Sequence, residues 1–421
     1  MSELNNFIAA EQDRQSRGLE LVASENYASA NVLRALGTVY SNKYAEGYPG
    51  RRYYGGQANT DKVEQRAIEL AKQLFGADHA NVQPLSGAPA NLAAYFAWCV
   101  PGDTILAMDL SHGGHLTHGA PVTVPAQLFN FVRYGMSNVE TGEIDYEQVR
   151  QLALEHKPKI LLAGFSSYPR ELDYAKLSRV AAEVGAVAMA DVAHIAGLIA
   201  AGELANPLEH GFQIMTSTTH KTLRGPRGGL ILSKGKVSNP LKKPDKTIEN
   251  LPTLIDRAVF PGLQGGPHMN QILAAMVAFE EALEPSFKVY AKQTLVNAKQ
   301  LASELMKRNV KLITNGTDNH LMVIDTVTSW GTSGTEAQNV LDEIGLTASK
   351  SVIPNDTRTP SDPSGLRLGT PAITTRGMGE EEMTQIAEWI ERAIKSRDDS
   401  AELKKIHAEV QQLAQRLPLP S

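Results

Sequence analysis

A chain of 421 residues with 42% hydrophobic side chains has enough apolar material for two domains with sizeable cores. Its 41 lysines and arginines against 46 acidic residues leave a net charge of −5, without the basic excess that nucleic acid or an anionic membrane selects. A single cysteine, Cys99, excludes an intrachain disulfide framework and fits a reducing compartment; within the apolar FAWCV it reads as core filler.

In chain order, the N-terminal MSELNNFIAAEQDRQSRG is polar and has no signal-peptide apolar centre. Apolar runs such as LAAYFAWCV fall short of the roughly 20 residues that a membrane helix needs. A cytoplasmic protein without a membrane segment is expected. TDKVEQRAIELAKQLFG puts Val63, Ala67, Leu70, Ala71 and Leu74 on one helical face, with an Asp61/Glu64 start resembling a capping box and Gly76 as the stop. KILLAGFSS, GAVAMADVA, FQIMTST and GGLILS are apolar runs of strand length, expected side by side. Their alternation with amphipathic helices predicts an α/β domain with a mostly parallel sheet flanked by helices. The basic run KGKVSNPLKKPDK (234–246) reads as a solvated loop.

From about residue 280 the texture changes. PSFKVYAKQTLVNAKQLASELMKRN predicts a long helix, HLMVIDT a strand, and MTQIAEWIERAIKS a helix with Ile386, Trp389, Ile390, Ala393 and Ile394 as its core stripe. The expected organisation is an N-terminal arm (1–20), a large domain (21–280) and a smaller C-terminal α+β domain (281–421). No internal repeat is present.

The chemistry centres on TSTTHKTLRGPRGG (216–229), where Lys221 lies in a short connection between two apolar strands. A lysine desolvated there loses charge readily and becomes a nucleophile. AVAMADVAH ends another strand with Asp191 and His194, at the edge where parallel sheets place ligands. Asp191 alone could cap a helix, bind a metal or pair with a protonated ring nitrogen. In PLSGAPAN, Ser86, Gly87 and Ala88 form a tight turn with Pro89 as a first helical residue, and free N–H groups at a helix start hold phosphate. Lysine, strand-end aspartate and phosphate turn together describe pyridoxal phosphate: Schiff base, pyridinium anchor and phosphate cup.

SHGGHLTHG offers a competing reading, since His112, His115 and His118 have zinc-ligand spacing. A flat imidazole stacked on a cofactor ring is the other functional reading, and a loop-bonded histidine the plain one. NKYAEGYPGRRYYGG (42–56) holds Glu46 among tyrosines, where partial burial can keep a carboxyl protonated for acid or base work. SGLRLGTPAITTRG places Arg367 in a turn between glycines, suited to bidentate capture of a carboxylate.

These motifs, with ELVASENY, FPGLQGGP and GTDNHL, run in order along nearly the whole chain. It resembles the serine hydroxymethyltransferases, in the aspartate-aminotransferase-like (fold type I) class of pyridoxal phosphate enzymes. The resemblance implies that Lys221 carries the cofactor, Asp191 pairs with its ring nitrogen and His115 stacks on the ring. Ser86, Gly87 and Ala88 would hold the phosphate, with Tyr44, Gly265 and Gly266 reaching in from a second subunit. Ser166 and His194 would lie near the phenolic oxygen, and Arg367 with Ser24 would bind the amino-acid carboxylate. Glu46 and Tyr54, again from the partner, would handle proton transfer, while His220 and Arg227 complete the lysine motif. The implied reaction passes the one-carbon unit of L-serine to tetrahydrofolate, leaving glycine. The implied assembly is a homodimer with shared sites, its pairing into a tetramer left open; no metal is implied.

Three departures stand out. ASKSVIP has Ser349 and Ser351 where the family usually has NKN, whose second asparagine contacts the pterin. Serine carries no amide, so a directed pair of hydrogen bonds shrinks to one or to a water bridge. This raises an alternative expectation: a folate-independent aldolase or transaldolase, or an α-methylserine-type hydroxymethyltransferase, acting on β-hydroxy amino acids. Leu85 and Asn270 also differ from the usual residues, without removing a catalytic group.

Overall fold

The computed structural model describes residues 2–237, 242 and 244–420. Of the basic run 234–246, expected as a solvated loop, residues 238–241 and 243 lie outside the described residues. The centre is a seven-stranded sheet in the order His79–Asn81, Gly229–Ser233, Ile214–Thr218, Val187–Asp191, Ile160–Gly164, Thr104–Met108, Asn130–Tyr134. Gly229–Ser233 runs antiparallel to both neighbours, and the remaining pairs are parallel. The four apolar runs read from sequence are adjacent strands, buried along their whole length.

Strand alternation separates two cores. Leu106, Leu161, Ala163, Ala188, Ala190, Met215 and Leu230 face one side, against the helices Ala58–Phe75 and Tyr174–Glu183. Ile105, Leu162, Val187, Met189, Ile214 and Ile231 face the other, against Gly87–Trp98 and Leu251–Arg257. Successive side chains of a strand point to opposite faces, so continuous apolar runs are what a sheet covered on both sides requires.

The smaller sheet is antiparallel, in the order Leu321–Asp325, Gly365–Gly369, Ser349–Ser351. Its core takes Leu301 and Leu305 from the helix Pro285–Lys307 and Ile386, Trp389 and Ile390 from Glu380–Lys395. Leu19 and Leu21 join that core as well, because Leu19–Glu20 pairs in parallel with Leu346–Thr347. Arg376 fastens the two ends of the chain, donating to the carbonyls of Gly18 (2.7 Å), Ala414 (2.6 Å) and Leu417 (2.8 Å). Among the described residues no helix is long and apolar enough to cross a membrane.

Three local expectations need correction. The helix expected to begin with an Asp61/Glu64 capping box starts earlier, at Ala58, and its N-cap Gln57 makes no side-chain cap bond. Asp61 and Glu64 are drawn instead to the Arg52 guanidinium. Pro89 is the third, not the first, residue of the helix Gly87–Trp98, because Gly87 and Ala88 are already helical. Arg367 lies within the strand Gly365–Gly369, not in a turn. Its flanking glycines serve close packing: a Cβ on Gly365 would meet Ser351 O at 2.4 Å, and one on Gly369 would meet Ala23 Cα at 2.4 Å.

Candidate active site

The loops leaving the carboxyl ends of the parallel strands converge on one cavity of about 560 Å³. Ser24, His115, Ser166, His194, His220, Lys221, Arg227 and Arg367 all line it. Residues far apart in sequence thus meet because each follows, or packs over, a strand end.

Lys221 follows the strand Ile214–Thr218 and is 9% exposed. The hydroxyl residues around it satisfy buried backbone. Thr222 Oγ1 donates to His194 O (3.1 Å) and accepts from Gly197 N (2.9 Å), while Thr219 Oγ1 donates to Pro226 O. Burial lowers the Lys221 amine to about 8; the Asp191 charge opposes the shift, and Arg367 and Arg227 add to it.

Asp191, last in its strand, is buried and richly bonded. Its Oδ2 accepts from Asn91 Nδ2 (2.7 Å) and His118 Nε2 (3.1 Å), and its Oδ1 from Ala193 N (3.0 Å). Burial alone would raise its pKa, but the hydrogen bonds from His118 and Asn91, with the fields of the two nearby imidazoles, outweigh it and hold the carboxylate ionised. Behind this contact, Asn91 Oδ1 accepts from Thr216 Oγ1 (2.6 Å), and His118 Nδ1 accepts from His115 N (3.2 Å). Asn91 and His118 were not singled out as anchors of Asp191 from sequence. The available signal was Asn91's position one helical turn after Gly87 in the quoted turn.

His115 is taken down to about 4, chiefly by burial, so its ring is neutral at physiological pH. His194 and His320 stack with ring centroids 5.5 Å apart, and burial keeps both imidazoles uncharged. The three histidines of the run do not gather together. His112 turns aside to accept from Met136 N (3.0 Å), while His115 and His118 join Asp191 in a group whose ligand atoms lie within 4.8 Å of one another.

Arg367 lines the cavity and donates from Nη1 to Ser166 O (2.8 Å) and from Nε to Ser349 Oγ (3.3 Å). Lys350, Ser351, Val352, Pro360 and Pro363 line the same space. Ser86 is the N-cap of Gly87–Trp98 yet makes no side-chain cap bond, so its hydroxyl and the first helical N–H groups are free for a ligand. Gly87 lies so close to Thr218, next to the lysine turn, that a Cβ there would meet Thr218 Cγ2 at 2.8 Å.

A second cluster forms away from that lining. Tyr54 donates to Glu46 Oε2 (2.9 Å), the Tyr44 and Tyr54 rings meet edge to face at 5.7 Å, Gly266 packs on Tyr44, and Gly265 sits beside Glu46 Oε1. None of these five residues lines the Lys221 cavity of the same chain.

The family model described as serine hydroxymethyltransferase matches residues 1–390. The chain belongs to the serine hydroxymethyltransferase family. As a serine hydroxymethyltransferase it is a pyridoxal phosphate enzyme with tetrahydrofolate as cosubstrate. It reversibly converts L-serine to glycine while forming 5,10-methylenetetrahydrofolate. The residues present fit the cofactor on independent grounds. Ser166 Oγ is buried at the cavity without a partner, the helix start beside Thr218 offers unclaimed donors, and a buried amine faces an ionised carboxylate. The folate-independent alternative gains no support from the match.

Proposed function

We propose that Lys221 holds pyridoxal phosphate covalently through its amine and that the remaining cavity residues orient cofactor and serine around it. The observation that carries this reading is the convergence of a desolvated lysine, Arg367 and a neutral His115 on one cavity, with the buried, ionised Asp191 close enough behind it to act on the lysine. When bound, pyridoxal phosphate supplies an electron sink that accepts the pair released as the serine Cα–Cβ bond breaks. Asp191 keeps a proton on the cofactor's ring nitrogen, an ion pair sheltered from water. His115 offers a neutral flat ring for stacking, and Ser86, Gly87 and Ala88 offer donors to the phosphate. Ser166 and His194, which line the cavity, would lie near the phenolic oxygen, with His220 and Arg227 beside the lysine.

Arg367 binds the serine carboxylate through its guanidinium, which Ser166 and Ser349 orient, with Ser24 lining the same cavity. Glu46 and Tyr54 move the proton at the serine hydroxyl. They form a cluster of their own with Tyr44, Gly265 and Gly266, which we assign to the site of a second copy in a homodimer. Lys350, Ser351 and Val352 line the same cavity, and Ser351 would offer the pterin a hydroxyl in place of an amide. The enzyme works in the cytoplasm, a reducing compartment compatible with its one buried cysteine.

Borohydride reduction of the cofactor-loaded protein followed by peptide mass analysis tests the central assignment. The label is expected on Lys221, and Lys221→Ala is expected to lose both label and turnover. Label on another lysine, or wild-type turnover in the variant, would sink the reading.

A further inference from the structure

Beneath the exposed Tyr44–Tyr54 loop lies a buried ionic cluster to which the reaction gives no task. Arg52 lies in a two-residue hairpin, Gly47–Tyr48 against Arg51–Arg52, and its side chain is only 3% exposed. From Nη1 it donates to Ala45 O (2.8 Å) and Gly47 O (2.9 Å), the carbonyls of the residues on either side of Glu46. From Nε it donates to Asp61 Oδ1 (2.9 Å), and from Nη2 to Glu64 Oε2. The neighbouring carbonyls are engaged too: Tyr44 O accepts from Gln57 Nε2 (3.0 Å), Glu46 O from Tyr53 N (3.2 Å), and Gly47 O also from Gln83 Nε2 (2.9 Å). The backbone through Glu46 is thus clamped at every carbonyl, although Tyr44 and Tyr54 remain 61% and 49% exposed.

A buried ion pair is weak as a source of stability, since apolar replacements are often as stable. What the planar guanidinium adds is directed geometry, several donors at fixed angles that a lysine ammonium does not reproduce. We propose that Arg52 is a positioning residue of the reaction: it fixes the backbone on both sides of Glu46, and so sets the Glu46–Tyr54 pair where proton transfer takes place. The proposal rests on the role given to Glu46 above. Glu64 is the counter-anchor, itself held by Gln83 Nε2 (2.7 Å). Gln83 O accepts from Gln264 Nε2 (2.9 Å), and Gln264 Oε1 accepts from Leu85 N (3.1 Å), so the frame extends to the segment preceding Ser86.

The test is a double-variant cycle on the holoenzyme, measuring serine cleavage in Arg52→Lys, Glu46→Gln and both together. Arg52→Lys is expected to lower kcat at least about tenfold while the serine KM stays within about twofold, the signature of a misplaced reacting group. Added to Glu46→Gln it is expected to cost no further kcat, because the group that Arg52 places is already disabled. Losses that multiply in the double variant, or an unchanged kcat in Arg52→Lys, would overturn the proposal. Full activity in Glu46→Gln alone would instead remove the role of Glu46, and the single variant reads that outcome separately. The cycle is repeated with Arg52→Gln/Glu64→Gln, which removes both buried charges together and leaves only the partly exposed Asp61 without its ion-pair partner. A kcat loss that vanishes in the Glu46→Gln background supports positioning; a loss that persists there, or no loss at all, contradicts it.

Discussion

At Lys221 the chemical requirement is a neutral amine, and the fold meets it by burial. Lysine ordinarily titrates near 10.5, and here burial, reinforced by Arg367 and Arg227 and opposed by Asp191, brings the amine to about 8. The nucleophile is the deprotonated form, so reactivity grows as pH rises and levels off above the folded-state pKa. In cofactor-free protein, the rate of covalent capture of pyridoxal phosphate is expected to climb about tenfold per pH unit below 8 and to flatten above it. A rise continuing unbroken to pH 10 would show an amine that is not desolvated. The buried connection that holds Lys221 and the strand-end position of Asp191 were legible in the sequence, because one follows and the other ends an apolar run of strand length. Asn91 and His118 were not, since their role depends on reaching Asp191 across 100 and 73 residues of chain.

The helix Gly87–Trp98 joins phosphate turn and ring anchor in one element. Its first residues offer free N–H groups, and one turn later Asn91 bridges Asp191 and Thr216. Asn91→Leu leaves Thr216 Oγ1 without its acceptor and Asp191 with one donor fewer, a cost of about 1–3 kcal/mol. The expected outcome is a cofactor affinity lowered roughly tenfold, read by absorbance titration, with a reduced melting temperature. Unchanged affinity would mean that His118 and the Ala193 N–H suffice to fix Asp191. At this scale the strands were readable because a sheet covered on both faces needs continuous apolar runs. Arg367 was misplaced because glycines that permit close backbone packing look, in sequence, like glycines that permit turns. Asp61 and Glu64 have capping-box spacing, but a buried guanidinium competes for both carboxylates and wins.

Across the whole molecule, the helix Pro285–Lys307 ties the two units together, with Phe287, Tyr290 and Ala291 in the core of the large sheet and Ala298, Leu301 and Leu305 in that of the small one. The change of texture near residue 280 was visible as a change from strand-helix alternation to long helices. The membership of Leu19 and Leu21 in the C-terminal core was not, because a two-residue parallel pairing leaves no periodic signal. At this scale we propose that the Lys221 cavity is completed by Glu46 and Tyr54 of a second copy. Mixing Lys221→Ala and Glu46→Gln subunits tests it most directly, since each single variant is disabled on its own. If the sites are shared, each mixed dimer contains one site with Lys221 from one chain and Glu46 from the other, and random exchange is expected to restore about one quarter of the wild-type activity. If exchange is shown to occur and activity stays at the level of the parent variants, Glu46 acts on its own chain's lysine and the shared-site account is wrong.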